Sequence, residues 1–286
     1  MIWKHKSTAV LGLALFFAII LFVQMTMYLV NILFGPLELF NFFNFCVSLF
    51  EKGTFAYYAS LFIVNAYIFY TAFIIGKKIV QQILLLSSFE NKIQRLINKD
   101  KSSYLNQIFN RKNDDIVVIN HKDPLAFTFG FSKPVIVLST TLTEMLDAKE
   151  LEAVIYHETS HQRYYDGVKV FILQIISESI WYIPLTRWSY QNYRIMIELV
   201  ADEYAINRMG SELGLGSALL KLIKKKQLKV NSNLTPAIVH FADSTVDYRL
   251  QQLINPQQSI PVKVQTRSIV ISLNVFILIL FLLVIA

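Results

Sequence analysis

The chain has little of the material from which covalent cross-links and thiolate metal sites are made. Its 286 residues include a single cysteine, Cys46, and only five histidines. One cysteine excludes an intrachain disulfide and a metal site built from cysteines. Charged residues are also scarce, at 16% of the chain. No internal repeat or low-complexity linker divides residues 77–267, which favours one compact α+β domain there.

Apolar sequence is abundant, with 54% hydrophobic residues and 22 phenylalanines. Three uncharged runs stand out: 7–37, 53–76 and 268–286. Each approaches or exceeds the roughly 20 residues that a helix needs to cross a bilayer. The first run is too long for a signal peptide, lacks an A-x-A-like cleavage site and is followed by a second run. We therefore expect residues 1–76 to form a transmembrane hairpin, with spans at about 8–34 and 54–76, and residues 268–286 to form a C-terminal transmembrane helix.

Lysine and arginine positions predict the orientation of these spans. Basic residues precede the first and last runs and follow the second: Lys4, Lys6, Lys77, Lys78, Lys263 and Arg267. The positive-inside rule then places residues 77–267 in the cytoplasm of a multi-pass cell-membrane protein, which we expect to be bacterial. That region holds 24 basic and 18 acidic residues, a net +6 that suits contact with anionic membrane lipid. Nucleic-acid binding is the alternative, with 224–226 in its favour, but no DNA-reading motif accompanies the charge and no direct nucleic-acid partner is expected.

The most informative motif is H-E-x-x-H at His157, Glu158 and His161. On a helix this spacing puts both imidazoles on one face, about 6 Å apart at Cβ, where they can hold one metal ion. Glu158 then lies beside the open coordination position and can act as general base. Asp147, with Glu150 three residues later, predicts the start of such a helix. The alternative is a solvated amphipathic helix that carries two histidines by coincidence.

A third ligand is offered by Glu198, in a second predicted helix that Gly210 ends. Catalytic zinc commonly takes two histidines and a glutamate and keeps its fourth position for water. Asp202 lies four residues after Glu198 and faces the same way, so it can orient a ligand histidine. We predict one Zn²⁺ per chain on His157, His161 and Glu198. The alternative is that both carboxylates are surface charges.

The apolar stretch 170–186 tests the zinc hypothesis, because it resembles a further membrane span. If it crossed the membrane, His161 and Glu198 would lie on opposite sides and could not share a metal ion. It also contains polar residues that are costly in lipid, among them Glu178. We expect it to associate with the membrane without spanning it.

Three short apolar runs predict strands: 116–119, 126–129 and 134–138. The last begins at a proline, which predicts an edge strand. An edge strand can pair with an extended substrate backbone, so the range 127–138 is a candidate substrate ridge. The strand proposed to bind substrate consists of Pro134, Val135, Ile136, Val137 and Leu138. An ordinary core hairpin is the alternative.

Several segments resemble the BlaR/MecR-type integral-membrane metallopeptidases. They are A-F-T-F-G-F-S-K-P-V-I-V-L-S from Ala126, E-L-E-A-V-I-Y-H-E-T-S-H from Glu150 with Asp166, and W-Y-I-P-L-T-R-W from Trp181. The resemblance runs from about 120 to 255. It implies a membrane-anchored gluzincin-like α+β fold with a small sheet, zinc on the three ligands above, and Glu158 as general base and acid. It also implies a cytoplasmic protease that acts in signalling, typically on a DNA-binding repressor, and a structural role for Arg249.

The best-known members of that family carry an extracellular sensor domain after the last span. This chain ends at Ala286, so we expect no direct β-lactam sensing. His240 follows the Glu198 helix and is a candidate oxyanion stabiliser. Two alternative functions remain: an HtpX/CAAX-protease-like quality-control or processing protease, and a non-catalytic membrane regulator or immunity protein. The presence of Glu158 argues against the non-catalytic regulator or immunity protein, since a protein without catalysis needs no general base.

Overall fold

The computed structural model describes residues 2–35, 39–227, 240–255 and 266–274. Over these residues it is mostly helical with one small sheet. The helices are α1 (Ile2–Phe34), α2 (Phe42–Ser48), α3 (Phe55–Leu96), α4 (Lys99–Ile108), α5 (Thr140–Met145), α6 (Ala148–Tyr164), α7 (Asp166–Ser179), α8 (Pro184–Met209), α9 (Leu213–Gln227) and α10 (His240–Ile254). The strands are β1 (Ile116–Ile119), β2 (Ala126–Phe129) and β3 (Val135–Ser139).

Two helices of the described chain are long and apolar enough to cross a membrane: Trp3–Phe34 and Phe55–Leu96. Their positions include both spans predicted for the N-terminal hairpin. The second helix does not end near residue 76, however. At about 1.5 Å per residue its 42 residues extend about 63 Å, roughly twice the hydrocarbon thickness of a bilayer. Of the predicted C-terminal span, 268–274 is helical and the remainder lies outside the described residues.

The sheet has the order β1-β3-β2, which places β3 in its centre. β1 runs parallel to β3, and β2 runs antiparallel to it with Ala126 opposite Leu138. The prediction that Pro134, Val135, Ile136, Val137 and Leu138 form the edge strand is therefore wrong. Pro134 precedes the strand, so its missing N–H removes no bond from the ladder. The three residues 136–138 are fully buried, as expected for a strand that is paired on both sides.

Local sequence explains where the helices around the sheet begin and end. Asp147 caps α6 with its side chain on the N–H of Glu150, and Glu150 returns a bond to the N–H of Asp147, as a capping box. α6 ends at Tyr165, which has the left-handed conformation (φ 52°), and α7 begins at the next residue. α8 ends before Gly210, whose positive φ of 68° suits a residue without a Cβ.

The chain divides into two compact units. The first comprises Met1–Thr8, Ile83–Phe171 and Tyr193–Pro261; the second comprises Ala9–Gln82, Ile172–Asn192 and Val262–Ala286. The second unit differs from the predicted boundaries, because residues 172–192 group with the apolar helices and not with the predicted 77–267 domain. Polar contacts hold them there: the Tyr67 and Tyr182 hydroxyls are 2.6 Å apart, and Lys78 lies 2.7 Å from Glu178.

The apolar segment 170–186 is not one continuous helix. α7 ends at Ser179 and α8 begins at Pro184, and neither helix is among the two candidate spans found in the described chain. His161 and Glu198 belong to the same compact unit. That arrangement is what a shared metal ion requires.

Candidate metal centre

Two helices of the first unit bring three potential ligands together. α6 supplies His157 and His161, and α8 supplies Glu198; one ligand atom from each lies within 4.8 Å of the others. The two imidazoles come from successive turns of one helix face, with their ring centroids 4.9 Å apart. This is the only such group of three metal-binding side chains that the described part of the chain contains.

The separations between these atoms fit a tetrahedral metal ion. The two Nε2 atoms lie 3.2 Å apart. Glu198 Oε2 is 3.4 Å from His157 Nε2, and its Oε1 is 3.6 Å from His161 Nε2. Nitrogen and oxygen ligands about 2.0–2.1 Å from a tetrahedral zinc lie about 3.3 Å from one another. The residues present therefore suit a divalent cation with N and O ligands.

Each histidine is oriented by a carboxylate on its outer nitrogen. His157 Nδ1 lies 2.8 Å from Asp202 Oδ1, and His161 Nδ1 lies 2.9 Å from Asp166 Oδ2. A proton held at Nδ1 by a carboxylate leaves the Nε2 lone pair free for a metal. Asp202 was predicted for such a role, whereas Asp166 was named only as part of the family resemblance.

The missed role of Asp166 depends on the turn before it. Tyr165 in the left-handed conformation ends α6 abruptly and starts α7 at Asp166, which brings its carboxylate back to His161. A tyrosine is an unusual residue for that conformation. The one signal in the sequence is an aspartate five residues after a ligand histidine.

Arg249 of α10 connects the centre to a third segment of the chain. Its Nε and Nη2 donate to the two oxygens of Asp202 at 2.8 and 2.7 Å. Its Nη1 lies 3.4 Å from Glu198 Oε2. Such a two-point arginine–carboxylate pair is strong and directional. Arg249 therefore fixes the carboxylate that orients His157, and it lies next to the glutamate of the centre.

The electrostatics of the centre favour positive charge between the imidazoles. Burial acts to lower the pKa of His161, but the hydrogen bond with Asp166 and the charge of Glu198 outweigh it and raise that pKa to about 9. Burial acts to raise the pKa of Glu198, yet the hydrogen bond with His157 and the charges of His161 and Arg249 hold it well below its ordinary value. A group of side chains that holds protons this strongly also attracts a metal cation, which competes for the same lone pairs.

Glu158 is buried beside His157 and contacts the sheet through β2. The Thr128 hydroxyl lies 3.0 Å from Glu158 Oε2 and 2.9 Å from the Glu158 backbone oxygen. β2 is an outer strand, and no other described strand pairs with its free side. The edge nearest the general-base candidate is thus β2. Thr128 lies within the predicted ridge 127–138, but its contact with Glu158 was not predicted.

Two predicted site elements are not part of this cluster. Residues 135–138 lie in the central strand, and Gln162 of α6 donates a hydrogen bond to the carbonyl of the preceding Pro134 at 2.7 Å. His240 begins α10, and its side chain lies outside the described residues. Its predicted role at the oxyanion stays a prediction.

The known proteins to which this chain is similar are peptidases. The model of the family described as BlaR1 peptidase M56 matches residues 51–254. The chain is also similar to plastoglobule-localized metallopeptidase 48, chloroplastic, of Arabidopsis thaliana, with 31% identity over 113 residues. That alignment includes 36% of this chain and 32% of the relative, so it spans about a third of the relative's length.

Proposed function

The chain belongs to the BlaR1 peptidase M56 family, and from this membership and the geometry of the centre we propose that it is an integral-membrane zinc endopeptidase. Membership and the Arabidopsis relative make it a metallopeptidase. The observation that carries the finer proposal is the convergence of His157, His161 and Glu198 within 4.8 Å, with Glu158 in the same helix as the two histidines. We assign zinc because two imidazoles and one carboxylate, with a fourth position for water, form a common catalytic zinc site.

The side chains of the centre have separate roles in peptide hydrolysis. His157, His161 and Glu198 would hold the zinc ion, which supplies a Lewis acid and an acidified water when bound. Glu158 takes the proton from the attacking water and later gives it to the leaving amine. Asp202 and Asp166 keep both Nε2 lone pairs directed at the metal position.

For substrate binding we propose the free side of β2, in place of the strand 134–138. An extended polypeptide could add to this edge by backbone hydrogen bonds, which hold a scissile bond without requiring a particular side chain. Thr128 lies on the same strand and contacts Glu158, so the paired backbone would run past the general base. This argues for a protein or unfolded-peptide substrate.

The membrane and signalling parts of the proposal have their own support. The helices Trp3–Phe34 and Phe55–Leu96 can span a bilayer, and the distribution of lysine and arginine favours a cytoplasmic centre. By resemblance to BlaR/MecR-type proteases, we propose that the substrate is a cytoplasmic regulator such as a transcriptional repressor, or a membrane-proximal peptide. Membrane lipid is the other partner, attracted by the net positive charge of 77–267.

The proposal is tested by purifying wild type, Glu158→Gln and Glu212→Gln in detergent. Glu158→Gln should keep one zinc per chain and lose activity by a factor of about 10² to 10⁴, because only proton transfer is removed. The exposed Glu212 is the matched control, and its variant should behave as wild type. Proteins that accumulate on the inactive variant identify the substrate.

The proteins that accumulate on Glu158→Gln distinguish the proposed function from its alternatives. A trapped repressor or other single regulator supports the signalling protease, whereas assorted damaged membrane proteins would indicate quality control instead. Zinc absent from wild type, or unchanged proteolysis in Glu158→Gln, would refute the zinc endopeptidase. Unchanged processing of every cellular protein would favour a non-catalytic regulator.

A further inference from the structure

The contact between Thr128 and Glu158 joins the outer strand to the general-base candidate. One hydroxyl oxygen lies within hydrogen-bonding distance of both the side-chain Oε2 and the backbone oxygen of Glu158. A threonine hydroxyl has a single proton, so it donates to one of these oxygens at a time. Donation to the carboxylate is the stronger bond, because the acceptor is charged.

The position of Thr128 is fixed by its neighbours on β2. Side chains alternate between the two faces of a strand, so Phe127 and Phe129 point away from Thr128. Both phenylalanines pack against the apolar cluster around Ile93 and Val137. Backbone pairing sets Thr128 opposite Ile136 of the buried central strand. The hydroxyl is therefore held towards α6 by the core and not by a flexible loop.

We propose that Thr128 is a positioning residue that fixes the orientation of Glu158 from the outer strand β2, an inference that rests on the proposed function. Its hydroxyl holds Oε2, which leaves Oε1 for the attacking water. The strand whose free side would pair with substrate thus also fixes the general base.

The test compares Thr128→Val with Thr128→Ser in the full-length, zinc-loaded protein, with dye-quenched casein as probe. Valine has nearly the shape of threonine and suits a strand, but it cannot donate a hydrogen bond. We expect Thr128→Val to lower kcat by about 10- to 100-fold with little change in KM, since a misplaced base affects the chemical step and not binding. Thr128→Ser keeps the hydroxyl and should recover most of kcat. Zinc content should stay at its wild-type value in both variants, and the lost hydrogen bond should lower the unfolding midpoint only in Thr128→Val.

A second measurement does not depend on turnover. The infrared carboxylate bands of Glu158 are isolated by subtracting the spectrum of Glu158→Gln, in the wild-type and in each Thr128 background. Loss of the hydroxyl should shift these bands in Thr128→Val and leave them near the wild-type position in Thr128→Ser. Identical bands in all three backgrounds would overturn the inference, and so would a wild-type kcat in Thr128→Val.

Failure of the proposed function gives a different pattern. If wild type and Glu158→Gln act equally on casein, the endopeptidase proposal fails. The infrared comparison still decides whether Thr128 holds the carboxylate. Shifted bands with unchanged kcat would contradict the positioning role while leaving the protease intact.

Discussion

Replacing Asp202 by asparagine tests whether the buried carboxylate controls metal binding through His157. Asp202 Oδ1 lies 2.8 Å from His157 Nδ1 and accepts a hydrogen bond from Arg249 Nη2 at 2.7 Å, while Oδ2 accepts from Arg249 Nε. In the variant an amide NH₂ replaces Oδ2 and faces another donor. The negative charge that keeps a proton on His157 Nδ1 is also lost. Arg249 Nη2, already 3.4 Å from that nitrogen, then favours the tautomer whose Nε2 carries the proton and cannot bind metal.

We expect the dissociation constant for zinc to rise about 10- to 100-fold, the usual consequence of losing such an orienting partner. That factor corresponds to about 1.4–2.8 kcal/mol. The assay is competition with a fluorescent zinc chelator at fixed pH, using the detergent-solubilised full chain. Asp166→Asn should weaken zinc binding similarly through His161, while Glu212→Gln should not. A dissociation constant for Asp202→Asn within about twofold of wild type would refute the argument, because the orienting bond would then contribute under about 0.4 kcal/mol.

Two further substitutions test the framework that holds the site. Glu150→Gln should lower the free energy of unfolding by about 1–2 kcal/mol at neutral pH, because buried Glu150 accepts hydrogen bonds from Ser217 and Lys221. Lys221 is part-exposed, so solvent reduces its contribution. Burial acts to raise the pKa of Glu150, but the bonds to Lys221 and Ser217 outweigh burial and lower that pKa below 4.5. The stabilisation by the ionised carboxylate is therefore complete above about pH 4.5 and is lost as the pH falls through the lowered pKa. Denaturant unfolding curves of the variant should lack this pH-dependent stabilisation. Tyr165→Gly should raise the free energy of unfolding by about 0.5–1 kcal/mol in the same assay, because glycine adopts the left-handed conformation without the steric cost that tyrosine pays. A loss of stability in that variant would mean that the tyrosine ring contributes more than its backbone conformation costs.

Local features of the sequence predicted the elements well. The apolar runs at 116–119 and 126–129 coincide with β1 and β2, and β3 is displaced by one residue from the predicted run. The capping box at Asp147 and the glycine after Met209 mark helix ends as predicted. These features depend on hydrogen bonds within a few residues, so a short window of sequence contains the necessary information.

Strand order did not follow from the same evidence. Pro134 suggested an edge, but the run after it is apolar at every position from Val135 to Leu138. Continuous hydrophobicity is typical of a strand that is buried on both faces, and that signal favoured the centre. β2 by contrast contains Thr128 between two phenylalanines, the alternation of a strand with one face towards a polar site. Which strand pairs with which depends on contacts distant in sequence.

The segment 172–192 shows a similar limit. Its hydrophobicity alone does not distinguish a core helix from a membrane-associated one, and hydrogen-bonded partners such as Tyr67 lie more than a hundred residues away. Asp166 was missed because its contact depends on the conformation of a single tyrosine. Sequence thus identified the three side chains that cluster in the candidate centre better than the contacts that hold them.

The charges at the centre indicate that metal binding and folding are linked. Four carboxylates surround the two imidazoles: Glu158, Asp166, Glu198 and Asp202. Arg249 is the one cation among the contacts described, so the net charge would be about −3 if both histidines were neutral, in a region with little access to solvent. The raised pKa of His161 means that protons offset part of this charge when no metal is bound. A divalent ion would displace those protons, bring the charge to about −1 and join α6 to α8 directly. Arg249 of α10 also contacts Asp202 and Glu198, so α6, α8 and α10 are joined through the charges of this centre. Part of the free energy of zinc binding should therefore appear as stability of the first compact unit.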